Sequence, residues 1–252
     1  MVASGKLSAR TVKVADLPNH LKSEMFKLFA RFYDDVSSAQ FMTDLADKNE
    51  VILAFDSGNK NLQGFSTIKI YDFQLDNQEV KVMFSGETTM HRAFFNFVVR
   101  TKMRHPLTPF YWFLISKGYK TYLSLARNVP KHWPRHDERT PQFDARLLDR
   151  LASERFGKAW HADLGLLKFD RCMGRLKAGV APIDIQLLNN PQIRFFQEKN
   201  PQHQEGDELC CLGKINWQVF THFIAKMAEK NLARVFLKHQ REVYGRIVDR
   251  PS

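Results

Sequence analysis

Two apolar alternations, Gln63–Phe73 and Val80–Thr88, flank the short turn Leu75-Asp76-Asn77-Gln78. Side chains two apart in a strand share a face, so this pattern predicts two strands paired as an antiparallel hairpin. The period then changes. In His91–Met103 the apolar residues Phe94, Phe95, Val98 and Val99 recur at helical spacing, and Pro106 and Pro109 end the run. Phe110–Ser116 is a dense aromatic and β-branched strand, closed by Lys117-Gly118, and Tyr119–Arg127 returns to helical spacing until Pro130. A hairpin, a helix, a strand and a helix in close succession restrict the chain to a mixed α/β architecture.

The residues before the hairpin extend the pattern. Arg10–Val14 is a short β-branched run, and Leu21, Met25, Phe26, Phe29 and Phe32 lie at the three- and four-residue spacings of an amphipathic helix. A second helix is expected over Ser38–Asp47, capped by Ser37 or Ser38. Val51–Phe55 reads as a buried strand, ended by the turn cluster Asp56-Ser57-Gly58-Asn59. The second half is less regular. Lys131–Pro141 reads as a connecting loop, Gln142–Phe156 as a helix, Leu166–Met173 and Glu208–Ile215 as strands, and Asn216–Tyr244 as a long helix. The expected organisation is therefore a core over 1–130 and a mostly helical extension over 131–252, which could lend the last two strands to the same sheet.

Charge narrows the partners. The 252 residues carry 38 Lys and Arg against 27 Asp and Glu, a net charge of +11, which favours an anionic partner such as a phosphorylated cofactor, an acidic protein, a membrane surface or nucleic acid. With 21 Phe against 6 Tyr and 4 Trp, the aromatic residues favour core over base stacking, and no nucleic-acid motif is present. The three cysteines, Cys172, Cys210 and Cys211, form no disulfide framework, which points to a reducing compartment. No apolar run reaches the length of a membrane span. MVASGKLSAR has no apolar core of a secretory signal, so a cytoplasmic location is expected.

The order of elements resembles the GNAT acyltransferase fold, in which a strand and two helices precede a three-strand meander, and a cofactor helix, a fifth strand, a helix and two late strands follow. The segments FYDDVSSAQFMTDLADKNEVILAF, GFSTIKIY, MFSGETT and FYWFLISKGYKTY are also similar to a set of bacterial proteins described as GNAT-like. The resemblance implies a mixed, mostly antiparallel central sheet flanked by helices, with an extended helical C-terminal half. It also implies transfer of an acyl group from a thioester to an amine. The family's glycine-rich pyrophosphate loop corresponds here to Thr88-Thr89-Met90-His91-Arg92-Ala93-Phe94-Phe95, which has no glycine. An anion there would be held by the side chains of His91 and Arg92.

The same resemblance locates the chemistry where the fourth and fifth strands part. Glu87, beside Thr88 and Thr89, is the expected base for the ammonium proton, Tyr119 the donor to the departing thiolate, and Ser116 a further catalytic hydroxyl. Lys117 joins Thr88, Thr89, Met90, His91 and Arg92 as a residue for the donor's phosphates. Tyr122 fits a packing role. No tightly bound cofactor and no metal are expected: His132 and His136 are separated by Pro134, and Cys210-Cys211 would point to opposite faces of a strand. The donor is coenzyme A thioester or, given the basic charge, an acidic acyl carrier protein; the acceptor is a small amine. A non-catalytic binding protein of the same shape remains open, as does a peripheral membrane protein using the basic C-terminal helix.

Overall fold

The computed structural model describes residues 7–85, 91–169, 174–226 and 228–229. The chain divides after Ile215 into two units, 1–215 and 216–252. In the second, residues 217–226 are helical, with the Trp217 and Phe220 rings 5.3 Å apart. The rest of the helix expected over Asn216–Tyr244 lies almost wholly outside the described residues.

The first unit opens with β1 (Leu7–Lys13), α1 (Asn19–Phe29), the two-residue strand β2 (Tyr33–Asp34) and α2 (Ser38–Ala46). Ser37 caps α2, its hydroxyl accepting from the Gln40 amide at 3.1 Å. A meander follows, of β3 (Glu50–Asp56), β4 (Leu62–Leu75) and β5 (Gln78–Ser85). Asp76 and Asn77 join the last two with φ of 48° and 63°, the left-handed two-residue turn that matches the twist of a hairpin. Helix α3 (His91–Arg104) crosses over to β6 (Phe110–Ser116), and α4 (Tyr119–Asn128) follows.

The remaining elements are β7 (His132–Trp133), α5 (Gln142–Phe156), β8 (Trp160–His161), β9 (Leu166–Leu167), β10 (Arg175–Leu176), α6 (Pro191–Lys199) and β11 (Glu208–Ile215). Residues 131–141 are thus not wholly a loop, because His132 and Trp133 pair with Gly213 and Leu212. The strand expected over Leu166–Met173 is confined to Leu166 and Leu167; residues 170–173 lie outside the described set. Helix α6 has no counterpart in the sequence reading, although Asn190-Pro191 is a capping residue followed by proline at the first helical position.

The main sheet runs β1-β3-β4-β5-β6-β11-β9-β8, with β7 on β11. Every pair is antiparallel except the central one, β5 with β6. On one face α1 and α2 cover Val51 and Leu53, while α5 covers Val82, Phe84, Tyr111 and Phe113. The other face receives α3, whose Phe94 ring lies 4.7 Å from Trp112, and α4, whose Leu125 closes over Gly213 together with Val129 just beyond the helix. The fold class is mixed α/β, with a large, mostly antiparallel sheet flanked by helices.

Candidate functional site

The parallel pairing of β5 with β6 begins at Lys81–Phe110 and stops at Phe84–Phe113. Strand β6 continues to Ser116, and along its other edge it pairs with β11 from Phe110 to Ser116. The C-terminal ends of the two central strands lie here, the usual ligand end of an open α/β sheet. Next to them Ser85 Oγ accepts a hydrogen bond from Trp112 Nε1 at 2.9 Å, a buried link tying the strands where their ladder ends.

The first charged group at this end is a buried pair. Glu208 begins β11 one residue before Leu209, the partner of Ser116. Its Oε1 lies 3.4 Å from Lys117 Nζ, and the two side chains are only 6% and 14% exposed. Burial pushes the Glu208 carboxyl above the ordinary range, the ammonium of Lys117 pulls it back, and nearby Asp44 on α2 pushes it up again. Lys117 also donates to the Gly174 carbonyl and lies 5.9 Å from the Tyr33 ring centre. The lysine is therefore committed to the protein on several sides, because β2 and β10 pair across the end of β6 and bring Tyr33 and Gly174 to it.

The second group is a cation cluster around the Phe84 ring. Asp47, at the end of α2, receives Lys48 at 3.2 Å on Oδ2, Arg155 of α5 on the same oxygen, and Lys69 of β4 on Oδ1. Lys69 stands opposite Phe84 in the β4–β5 ladder. The Arg155 guanidinium sits 4.1 Å from the Phe84 ring centre and Lys48 Nζ 5.3 Å from it. The cations hold the Asp47 carboxyl well below the usual carboxylate range against the opposing effect of burial. Burial, and then the neighbouring Arg155, lower the affinity of Lys48 for its proton. Burial also raises the Tyr71 phenol beside them to about 12.

Of the residues expected from the sequence, Glu87, Thr88, Thr89 and Met90 lie outside the described residues. His91 and Arg92 open α3, at the position expected for the cofactor helix. Ser116 is fully buried and donates its hydroxyl proton to the Gly118 carbonyl at 2.9 Å, so it fixes the turn that leads from β6 into α4. Tyr119, on the first turn of α4, is 8% exposed. Tyr122 packs against Phe195, Phe196 and His132, and its hydroxyl lies within hydrogen-bond distance of Gln192 Oε1 and the Pro134 carbonyl. The sequence reading missed Glu208, Lys48, Arg155 and Asp47. A glutamate opening an otherwise apolar strand, ELCCLGKI, was the available signal for the first; the others meet only in the folded chain.

His132 is buried with Nδ1 on the Val129 carbonyl at 2.8 Å, whereas His136 lies in an open groove of about 420 Å³ bordered by Arg135, Asp137, Phe195 and Lys199. Cys210 and Cys211 are both buried, and burial pushes both thiols up. Among the described residues no group of three His, Cys, Asp or Glu side chains converges as a metal site. Nor is any described helix long and apolar enough to cross a membrane.

No protein-family model matches the chain, and no curated protein sequence matches it. Among solved structures it is similar to a conserved protein of unknown function from Enterococcus faecalis V583, described as a probable N-acyltransferase. The identity is 11% and the TM-score 0.34, over 60% of this chain and 44% of that one. The match thus spans less than half of the neighbour's length.

Proposed function

We propose that the chain transfers an acyl group from a thioester to an amine at the C-terminal ends of β5 and β6. The observation that carries this reading is the single parallel pair at the centre of an otherwise antiparallel sheet. Among the described residues its pairing ends at Phe84–Phe113, in an element order similar to the GNAT arrangement of meander, helix, strand and helix. The end of a strand ladder exposes backbone N–H and C=O groups that a thioester arm can engage as an extra strand does. The donor is coenzyme A or an acidic acyl carrier protein, with His91 and Arg92 at the start of α3 as its anion contacts.

Transfer to an amine requires removal of an ammonium proton, stabilisation of a tetrahedral oxyanion and a proton for the thiolate. Two carboxylates fit the first role in this reading: Glu208, whose carboxyl burial pushes above the ordinary range, and Glu87, which follows β5 in the sequence. Tyr119 supplies the thiolate proton. Ser116 is a positioning residue that fixes the β6–α4 turn.

The test is a screen of acyl-coenzyme A thioesters and amines for free-thiol release. Glu208→Gln or Glu87→Gln, whichever removes the base, is expected to slow turnover by about a hundredfold or more without weakening donor binding. Tyr119→Phe should lower it as well. Thiol release that survives all three changes overturns the assignment of roles. A full panel with no thiol release leaves this end of the sheet as a binding site, a reading favoured by the glycine-free segment Thr88–Phe95.

A further inference from the structure

The cluster on Phe84 holds more positive charge than its own carboxylate balances. Lys48, Lys69 and Arg155 share the two oxygens of Asp47. Asp44 also acts on Lys48, whose ammonium donates to the Asp44 carbonyl at 3.0 Å, so two carboxylates face three cations; Glu154 is paired with Arg150 at 2.5 Å. The three cationic side chains are only 8%, 28% and 20% exposed, so water screens their mutual repulsion poorly. Lys69, whose side-chain partner among the described residues is Asp47, keeps further N–H donors, as does the planar guanidinium of Arg155. The Arg155 guanidinium carbon lies over the Phe84 ring at 4.1 Å, a contact that helps to hold the group in place.

Position gives this cluster its meaning. Phe84, on which it rests, is the last residue of β5 to pair with β6 among the described residues. Asp44 is close enough to act on both Lys48 of this cluster and Glu208 of the buried pair. The cluster therefore sits on the end of the strand where acyl transfer is proposed. We infer that Lys48, Lys69 and Arg155 form a subsite for an anionic group, a carboxylate or a phosphate, carried by the amine acceptor. The acceptor class is thus an amino acid-like or phosphorylated amine. This inference rests on the acyl-transfer reading for the word acceptor, but the anion site itself does not depend on it.

The test uses the full ¹⁵N-labelled chain and follows the Arg155 Nε–H signal, assigned through Arg155→Lys, during titration with inorganic phosphate and separately with succinate. A saturable shift is expected with at least one, the tighter of the two identifying phosphate or carboxylate as the group held. Lys48→Ala should weaken that binding about tenfold or more. Lys69→Ala, at the more exposed position, serves the same purpose should Lys48→Ala fail to fold. Absence of a saturable shift with both anions, or an unchanged affinity in the folded lysine variant, overturns the site. A second arm compares amino acids with their carboxamides as acceptors in the thiol-release assay, where the acids should be preferred about tenfold and Arg155→Ala should erase the preference. Anion binding without any thiol release removes the transferase reading and keeps the site. Thiol release with acids and amides used alike, and no anion shift, removes the site and keeps the reading.

Discussion

A carboxylate and an ammonium taken out of water each cost several kcal/mol, and their attraction offsets this only while both are present. Glu208 and Lys117 stand in that relation, at 6% and 14% exposure. Lys117→Met should therefore destabilise the fold by about 3 kcal/mol, since it leaves a buried carboxylate alone. Adding Glu208→Gln to it should recover a large part of the loss, as measured by urea unfolding. A single and a double variant of equal stability would show that the pair carries no such coupling. The sequence places Lys117 among the residues for the donor's phosphates, and Ser116-Lys117-Gly118 carries no sign of the partners it has in the fold. Its partner is supplied by a strand that begins at residue 208, and its carbonyl acceptor by Gly174.

At the scale of elements, the close approach of α4 to β11 depends on a missing side chain. A Cβ at Gly213 would stand 2.7 Å from Leu125 Cδ1 and 3.1 Å from Val129 Cγ1, both on residues buried in the interior. Gly213→Val should cost about 1–3 kcal/mol by overpacking, and Gly213→Ala less, because alanine also restricts the unfolded chain. Thermal unfolding of both variants measures this; a valine variant as stable as the parent would mean that α4 moves away without cost. The elements around this helix were readable from the sequence because their apolar periods are long and unbroken: β6 over Phe110–Ser116, α5 over Gln142–Phe156 and β11 over Glu208–Ile215 match the expected spans. The two-residue strands β2, β7, β8 and β10 were not readable. A pair of residues has no period, and each is held in place by a partner distant in the chain, as Tyr33 is by Leu176. The cation cluster was hidden for the same reason, since Asp47, Lys69 and Arg155 come from three elements and share no spacing.

At the scale of the whole molecule, two histidines and one glutamate give the stability an internal pH dependence. His132 and His203 are buried, each with Nδ1 against a backbone carbonyl, and burial lowers both from the ordinary value of 6.5. The unfolded chain then binds protons that the folded chain refuses. Stability from these residues is complete above about 6.5 and is lost as the pH falls through and below it. Glu208 has the opposite sign: its raised folded-state value makes its contribution complete below 4.5 and lost as the pH rises beyond that towards the folded-state value. Melting temperature should therefore fall between pH 7.5 and 5, and the fall should shrink in a His132→Gln, His203→Gln double variant. An identical slope in that variant would assign the acid sensitivity to other groups.

The long-range pairing of β6 has a consequence for how the chain reaches its native state. The neighbour of β6 on one side is β5, close by in sequence, but on the other it is β11, where Ile215 meets Phe110 and Leu209 meets Ser116, about a hundred residues later. During synthesis the first half can assemble its meander while one edge of its most apolar strand is still unpaired. An open apolar edge of that kind recruits strands from other chains. Closing it must await the emergence of residues near 215, and a loop of that length is slow to close relative to a local hairpin. At about 5–20 residues per second, the interval between the two strands lasts several seconds. For that time the middle of the sheet is a surface, and the cell's chaperones would meet the nascent chain there.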